Sequence, residues 1–274
     1  MGLRLALVVA AAVVAGSPAA NGVRYLQAHQ LGSGAYAEPG GRADVLLTAW
    51  ATLGIRASKT KPGILASRYF EQHEADLSSA TDIALAAMAE GALAQTPDRL
   101  LARLRTLERP NGSIGGLVNG TAWAVMALKS GGRAVRPRTI RWLLARQARG
   151  GGWGWTPGAV DSNDTAAVVQ ALRAVGVGGR PIRRALVFLA TFRNRDGGFE
   201  LTRGRGSDAQ STAWVIQAFL AAGRRAPRGA FAYLRSLQRK DGSFRYSRRY
   251  VTTPVWVTAQ VLPALAREPF PLRD

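Results

Sequence analysis

Gly150-Gly-Gly-Trp153-Gly-Trp155-Thr-Pro-Gly-Ala-Val-Asp161-Ser-Asn-Asp164-Thr165-Ala-Ala-Val-Val-Gln170-Ala-Leu172 contains three parts in order: a glycine-rich turn closing on an aromatic, a short loop, and an apolar helix opened by acids. The same parts return as Asp196-Gly-Gly-Phe199 followed by Asp208-Ala-Gln-Ser-Thr212-Ala-Trp214, and as Asp241-Gly-Ser-Phe244 followed by Thr253-Pro-Val-Trp256. One unit repeated along a chain describes an array, and the array is the fold.

With Thr165 as a register mark, Thr48, Thr81, Thr121, Thr165 and Thr212 follow one pattern, with Pro254 as a divergent sixth. These marks lie 33, 40, 44, 47 and 42 residues apart, the period of a helical hairpin. Before each mark runs a segment with apolar residues at three- and four-residue spacing and arginines between them: 21–30, 65–74, 100–108, 140–146, 183–191 and 229–237. Those six are amphipathic and face solvent on one side. The segments after the marks, such as 166–174 and 213–222, are apolar on nearly every face and are therefore buried. Six of each, alternating, predict an all-α fold: an α6/α6 toroid with an inner and an outer ring of six helices. Asn111-Gly112, Asp196-Gly197 and Asp241-Gly242 supply the positive φ of the tight reversals. Six residues before the aromatic stands a long polar side chain in most repeats, namely Gln30, Glu108 (before Ile114), Gln147, Arg193 and Gln238. The fixed spacing predicts a recurrent bond to a neighbouring helix end. The second repeat lacks this device.

The totals narrow the function. A chain of 274 residues with 47% apolar content is globular. It has no cysteine, hence no thiolate metal site and no thiol nucleophile. The net charge of +20 is carried by 37 basic residues, of which four are lysines, and the arginines are scattered rather than blocked. Scattered charge predicts solubility and attraction to an anionic envelope surface, with no specific nucleic-acid site. Residues 1–20 have a basic start, an apolar run from Leu5 to Ala15 and small residues after it, the layout of a signal peptide. The sequence therefore predicts a leader at 1–20, cleaved or kept as an anchor, and a single toroid domain at 21–274. It also predicts a secreted or envelope-exposed monomer.

Gln238-Arg-Lys-Asp-Gly-Ser-Phe244 and Gln147-Ala-Arg-Gly-Gly-Gly-Trp153 resemble the glutamine–tryptophan repeat of squalene–hopene and oxidosqualene cyclases. The chain after the leader resembles the prenyltransferase and squalene-cyclase repeat superfamily, whose toroid also serves cobalamin carriers. In class II terpene cyclases the resemblance implies an Asp-x-Asp-Asp motif whose middle acid protonates an alkene or epoxide. Asp161-Ser-Asn163-Asp164 matches the outer acids, but Asn163 stands at the donor, and an amide has no proton to give. The zinc site of protein prenyltransferases is excluded, because no cysteine is present and His29 and His73 fall on outer helices.

Candidate site residues follow from the pattern. Asp161 and Asp164 are the candidate acids. Asp44, Asp161 and Asp208 each precede a threonine by four residues, which suits an N-cap and also a polar ligand contact at one mouth of the toroid. Trp50, Trp123, Trp214 and Trp256 are read as one inner-helix position, and with Trp155 they predict an aromatic lining around a central cavity. The expected function is binding of an isoprenoid or other small molecule there, with no cofactor and no metal. The alternatives are a cyclase-type isomerase using Asp161 or Asp164 as acid, a cobalamin-carrier-like module, and a purely interacting toroid.

Overall fold

The computed structural model of the chain describes residues 16–155 and 158–272. Most of the leader expected at 1–20 lies outside these residues, and residues 18–20 form the first turn of the first helix. Six outer helices are α1 (Pro18–Ala28), α3 (Leu65–Gln72), α5 (Asp98–Thr106), α7 (Pro137–Ala145), α9 (Arg180–Ala190) and α11 (Ala230–Ser236). Six inner helices are α2 (Val45–Ala57), α4 (Ala80–Ala92), α6 (Val118–Ser130), α8 (Ser162–Ala174), α10 (Ala209–Ala221) and α12 (Pro254–Ala266). Each inner helix packs on the next, and α12 packs on α2, so the ring closes and no apolar edge is left open. The expected α6/α6 toroid is the fold.

One buried hydroxyl fixes the register in five of the six repeats. The backbone N–H of Tyr36, Ile114, Trp153, Phe199 and Phe244 donates to Oγ1 of Thr48, Thr121, Thr165, Thr212 and Thr258, at 2.9, 3.0, 2.9, 2.9 and 2.9 Å. In α2, α6, α8 and α10 the same hydroxyl donates to the carbonyl four residues back, at 2.6–2.7 Å. A threonine in a helix interior would usually spend its hydroxyl on that carbonyl alone; here it also clamps the incoming turn. The residue it clamps is fully buried at every turn. Two of the sequence marks need correction on this basis. The sixth clamp is Thr258, one turn beyond Pro254, and Thr81 bonds Asn119 rather than a turn.

The Asp-x-x-x-Thr pattern is first of all a capping device. Asp44, Asp161 and Asp208 accept the N–H of Leu47, Asp164 and Ser211 at 2.7, 2.8 and 2.7 Å. The backbone of each also pairs antiparallel with the aromatic: Tyr36 with Asp44, Phe199 with Asp208, and Trp153 with Asp161 in the two-residue strands β1 (Trp153–Gly154) and β2 (Val160–Asp161). Ser79 caps α4 through a capping box with Asp82. Thr253 makes no side-chain cap on α12; Glu38 does so from the first repeat, accepting the N–H of Val255 and Trp256 at 2.9 and 2.8 Å.

The long polar side chains link successive outer helices, as their spacing suggested. Gln147 Nε2 donates to its own turn at Gly151 and to Pro181 at the start of α9, at 2.8 and 2.9 Å. Gln238 Nε2 does the same toward Gly242 and Pro18, which joins the last repeat to the first. Glu108 accepts from Arg138 and Arg136 at the start of α7. Gly242, at φ 93°, passes so close to α1 that a Cβ would lie 2.5 Å from the Asn21 carbonyl.

The closing seam is the tightest helix contact in the inner ring's first and last members. A Cβ on Gly54 of α2 would lie 2.6 Å from the Ala259 carbonyl of α12. Gly54→Ala is therefore expected to destabilise the fold by about 1–3 kcal/mol through forced separation of the two helices, read as a Tm lower by several degrees. An unchanged Tm would mean that the seam is slack.

Candidate functional site

The first two turns of all six inner helices surround one half-open cavity of about 500 Å³. All five candidate tryptophans line it, together with Asp161, Asn163 and Asp164. The ring is apolar because inner-helix side chains must pack on two neighbours, and the mouth is polar because helix starts carry free N–H groups that need acceptors.

The tryptophans are not one position repeated four times. Trp50, Trp123 and Trp214 occupy the sixth residue of α2, α6 and α10, while Trp256 is the third residue of α12. The first three meet on the toroid axis, with ring centroids 5.2–5.9 Å apart at steep angles, the edge-to-face arrangement that aromatic quadrupoles favour. Trp256 leans on Trp50 at 6.1 Å. Trp155, 67% exposed, stands at the rim. The expected collar is thus a floor with a rim.

Below the tryptophans the axis is stoppered by a residue that the sequence gave no reason to single out. Phe270, on the segment after α12, places its ring 6.0 Å from Trp50 and 5.7 Å from Trp123. Its N–H donates at 2.8 Å to Oε1 of the buried Gln170 of α8. Glu268 pairs with Lys59 at 3.2 Å, and the Arg267 guanidinium lies over the Phe231 ring. The cavity is a cup open at the helix starts, not a channel through the ring.

A polar chain runs along one wall. Thr81 donates to Asn119 Oδ1 at 3.0 Å, Asn119 Nδ2 donates to Asp164 Oδ1 at 2.7 Å, and the Asp164 N–H donates to Asp161. It joins the starts of α4, α6 and α8. Burial, and next the charge of Asp164, hold the Asp161 carboxyl well above the usual carboxylate range. Burial raises Asp164 too, against the Asn119 amide that favours its charged form. The positive end of α8 would lower both, so burial outweighs the helix dipole here. Burial and mutual repulsion favour one proton shared by the pair over two charges.

Asp44 and Asp208 do not line this cavity. Asp208 is 2% exposed and is spent on Ser211, whose N–H and Oγ–H donate at 2.7 and 2.8 Å. Burial pushes it up to about 6. Both cap their own inner helices, and Asp208 lines a separate cavity with Arg205, Tyr233 and Tyr246. His29 and His73 sit just after α1 and α3, each with Nδ1 near the carbonyl four residues back. Among the lining residues that the sequence did not point to are Asn119, Gln210 and Gln260. Asn119 was hidden because its partners, Thr81 and Asp164, lie in the neighbouring repeats, and Gln260 because α12 was read one turn out of register.

No known family model matches the chain, and no curated protein sequence matches it. Solved structures do. A variant of type II terpene cyclase MstE from Scytonema, in complex with its substrate geranylgeranyl dihydroxybenzoate, superposes with TM-score 0.70 at 17% identity over 91% of this chain and 95% of that one. The ent-copalyl diphosphate synthase from Streptomyces platensis gives 0.59 at 18% identity over 81% of this chain and 50% of that one. A polysaccharide lyase gives 0.61 at 13% identity over 92% and 97%. At these identities the likeness is one of fold: the chain has a terpene cyclase-like toroid, and the lyase demonstrates that such a toroid serves unrelated chemistry.

The acid pair has a signature in stability. A folded pKa raised above the unfolded value contributes stability that is present below the unfolded pKa and is lost as pH rises through the folded one. Asp161→Asn keeps the cap and removes the repulsion. Between pH 4 and 8 the wild type is expected to lose stability relative to this variant, by about 1.4 kcal/mol for each unit of raised pKa. Parallel denaturation curves across that range would mean that the pair is not strained.

Proposed function

We propose that the cup binds an isoprenoid or a similar elongated apolar small molecule without performing cyclase chemistry. The observation that carries this reading is that five tryptophans and one proton-sharing acid pair line a single cavity whose volume, about 500 Å³, falls within the ~300–1,000 Å³ of small-molecule sites. Tryptophan faces offer large apolar contact at low entropic cost and attract polarised alkenes and cations. At the mouth, the Asp161 carboxyl donates a hydrogen bond to a ligand oxygen while Asp164 accepts one. Geranylgeranyl dihydroxybenzoate, the substrate held by the Scytonema enzyme, joins a prenyl chain to a polar ring and has the same two-part character.

The reading without catalysis rests on acid strength. Alkene protonation needs a strong acid, and an aspartic acid whose pKa is raised is a weak one. Asn163 cannot substitute for it. A second reading, a terpene cyclase-like isomerase, is favoured by one observation: the Asp161 carboxyl, its pKa raised by burial, lines an aromatic cavity, and an epoxide takes up a proton more readily than an alkene. Conversion of an epoxidised isoprenoid by the purified protein, lost in Asp161→Asn, would establish that reading.

We further propose that residues 1–20 deliver a single toroid domain to the cell envelope or beyond it. The basic start and apolar run support this, and the net charge of +20 suits residence beside an anionic surface.

Geranylgeraniol is expected to quench the intrinsic tryptophan emission saturably. Trp256→Ala, at the half-buried wall, is expected to weaken that binding about tenfold by removing one large apolar contact. Absence of saturable quenching with prenyl alcohols of several lengths would reject the binding function.

A further inference from the structure

Five buried side-chain polar atoms among the described residues have no hydrogen-bond partner, and one of them, Nε2 of Gln260, belongs to a residue in the wall of the cup. Gln260 is 1% exposed and lies one turn deeper along α12 than Trp256. Its Oε1 accepts from the indole Nε1 of Trp214 at 3.1 Å. An indole nitrogen is a donor only, so the atom facing it must be the amide oxygen. That fixes the orientation of the amide and leaves its NH2 as the group without a partner.

Buried donors are almost always paired, and an unpaired one is costly. The polar groups at the mouth are different in kind: the Thr81–Asn119–Asp164–Asp161 chain satisfies its members from one another. Gln260 shares its wall of the cup with Trp50, Trp214 and Trp256. Trp214 holds its oxygen, Trp50 contacts both Trp214 and Trp256, and an indole carries no hydrogen-bond acceptor atom for the NH2.

We propose that Gln260 is the specificity-determining residue of the cup, its Nε2–H donating to an acceptor oxygen on the ligand, so that the site takes oxygenated isoprenoids in preference to hydrocarbons of the same shape. The inference rests on the binding function proposed above and narrows its ligand class. A site built to pair with a ligand oxygen rejects the analogue that lacks it, because the site's own polar group then stays unpaired.

The test uses the full chain with two probes of similar shape: farnesal, whose carbonyl only accepts, and farnesene, which has no oxygen. Calorimetric titration is expected to give farnesal at least about tenfold tighter binding than farnesene. The carbonyl stretch of bound farnesal is expected to shift to lower wavenumber, the mark of an accepted hydrogen bond. Gln260→Met keeps an unbranched side chain of similar length with a weak acceptor for Trp214 and no donor. It is expected to abolish the preference and the carbonyl shift, farnesal losing at least about tenfold relative to farnesene. Equal affinities in the wild type would overturn the role of Gln260 and leave the cup a plain apolar binder. A preference that survives Gln260→Met, with the carbonyl shift intact, would overturn it too. Binding of neither probe would reject the binding function itself, and this inference with it. If Gln260→Met fails to fold, Gln260→Leu, of similar volume and without a donor, takes its place under the same criteria.

Discussion

A threonine hydroxyl bonded to the backbone N–H of the next turn is the contact on which this toroid depends. It occurs in five repeats within 0.1 Å of the same length. Each hydroxyl is buried, so its bond forms where water cannot compete, and losing it would orphan a buried donor. The clamp sets how far each inner helix projects beyond its turn. It thereby brings six helix starts to one level, which is what creates a mouth. The outer ring is then tied by side chains that reach from one repeat to the next, and the ring is closed by Gln238, Glu38 and the close approach at Gly54.

The site is a consequence of that alignment. Helix starts supply donors that attract acids, and the sixth residue of three inner helices points its indole to the axis. Burial then does what the helix dipoles alone would oppose: it keeps a proton on the pair formed by Asp161 and Asp164. The result is a cup with an apolar floor, a proton-sharing wall and one unpaired amide. At the position of the cyclase motif's donor acid stands Asn163.

The sequence made the architecture legible because each repeat writes its clamp locally. The turn glycine, the aromatic, the aspartate and the threonine all fall within about twenty residues, and the alternation of amphipathic and apolar helices follows from burial alone. The last repeat was misread for a physical reason. Pro254-Val-Trp256 copies the spacing of Thr-Ala-Trp, yet the hydroxyl that does the work is Thr258, so Trp256 and Gln260 were placed one turn out. Glu38 and Phe270 were illegible because their partners lie far away in the chain: Glu38 caps a helix more than 200 residues on, and Phe270 meets rings on the second and sixth helices. No local pattern announces either. Asp208 matches Asp161 in position and in capping, but Ser211 also takes up its second carboxylate oxygen.

The central claim is that the cup holds a small apolar molecule. Native mass spectrometry of the protein isolated gently from its own host addresses it most directly. A discrete retained mass, released on unfolding and matching an isoprenoid, is the result this account predicts. A bare protein mass, unchanged after incubation with prenyl lipids, would contradict it.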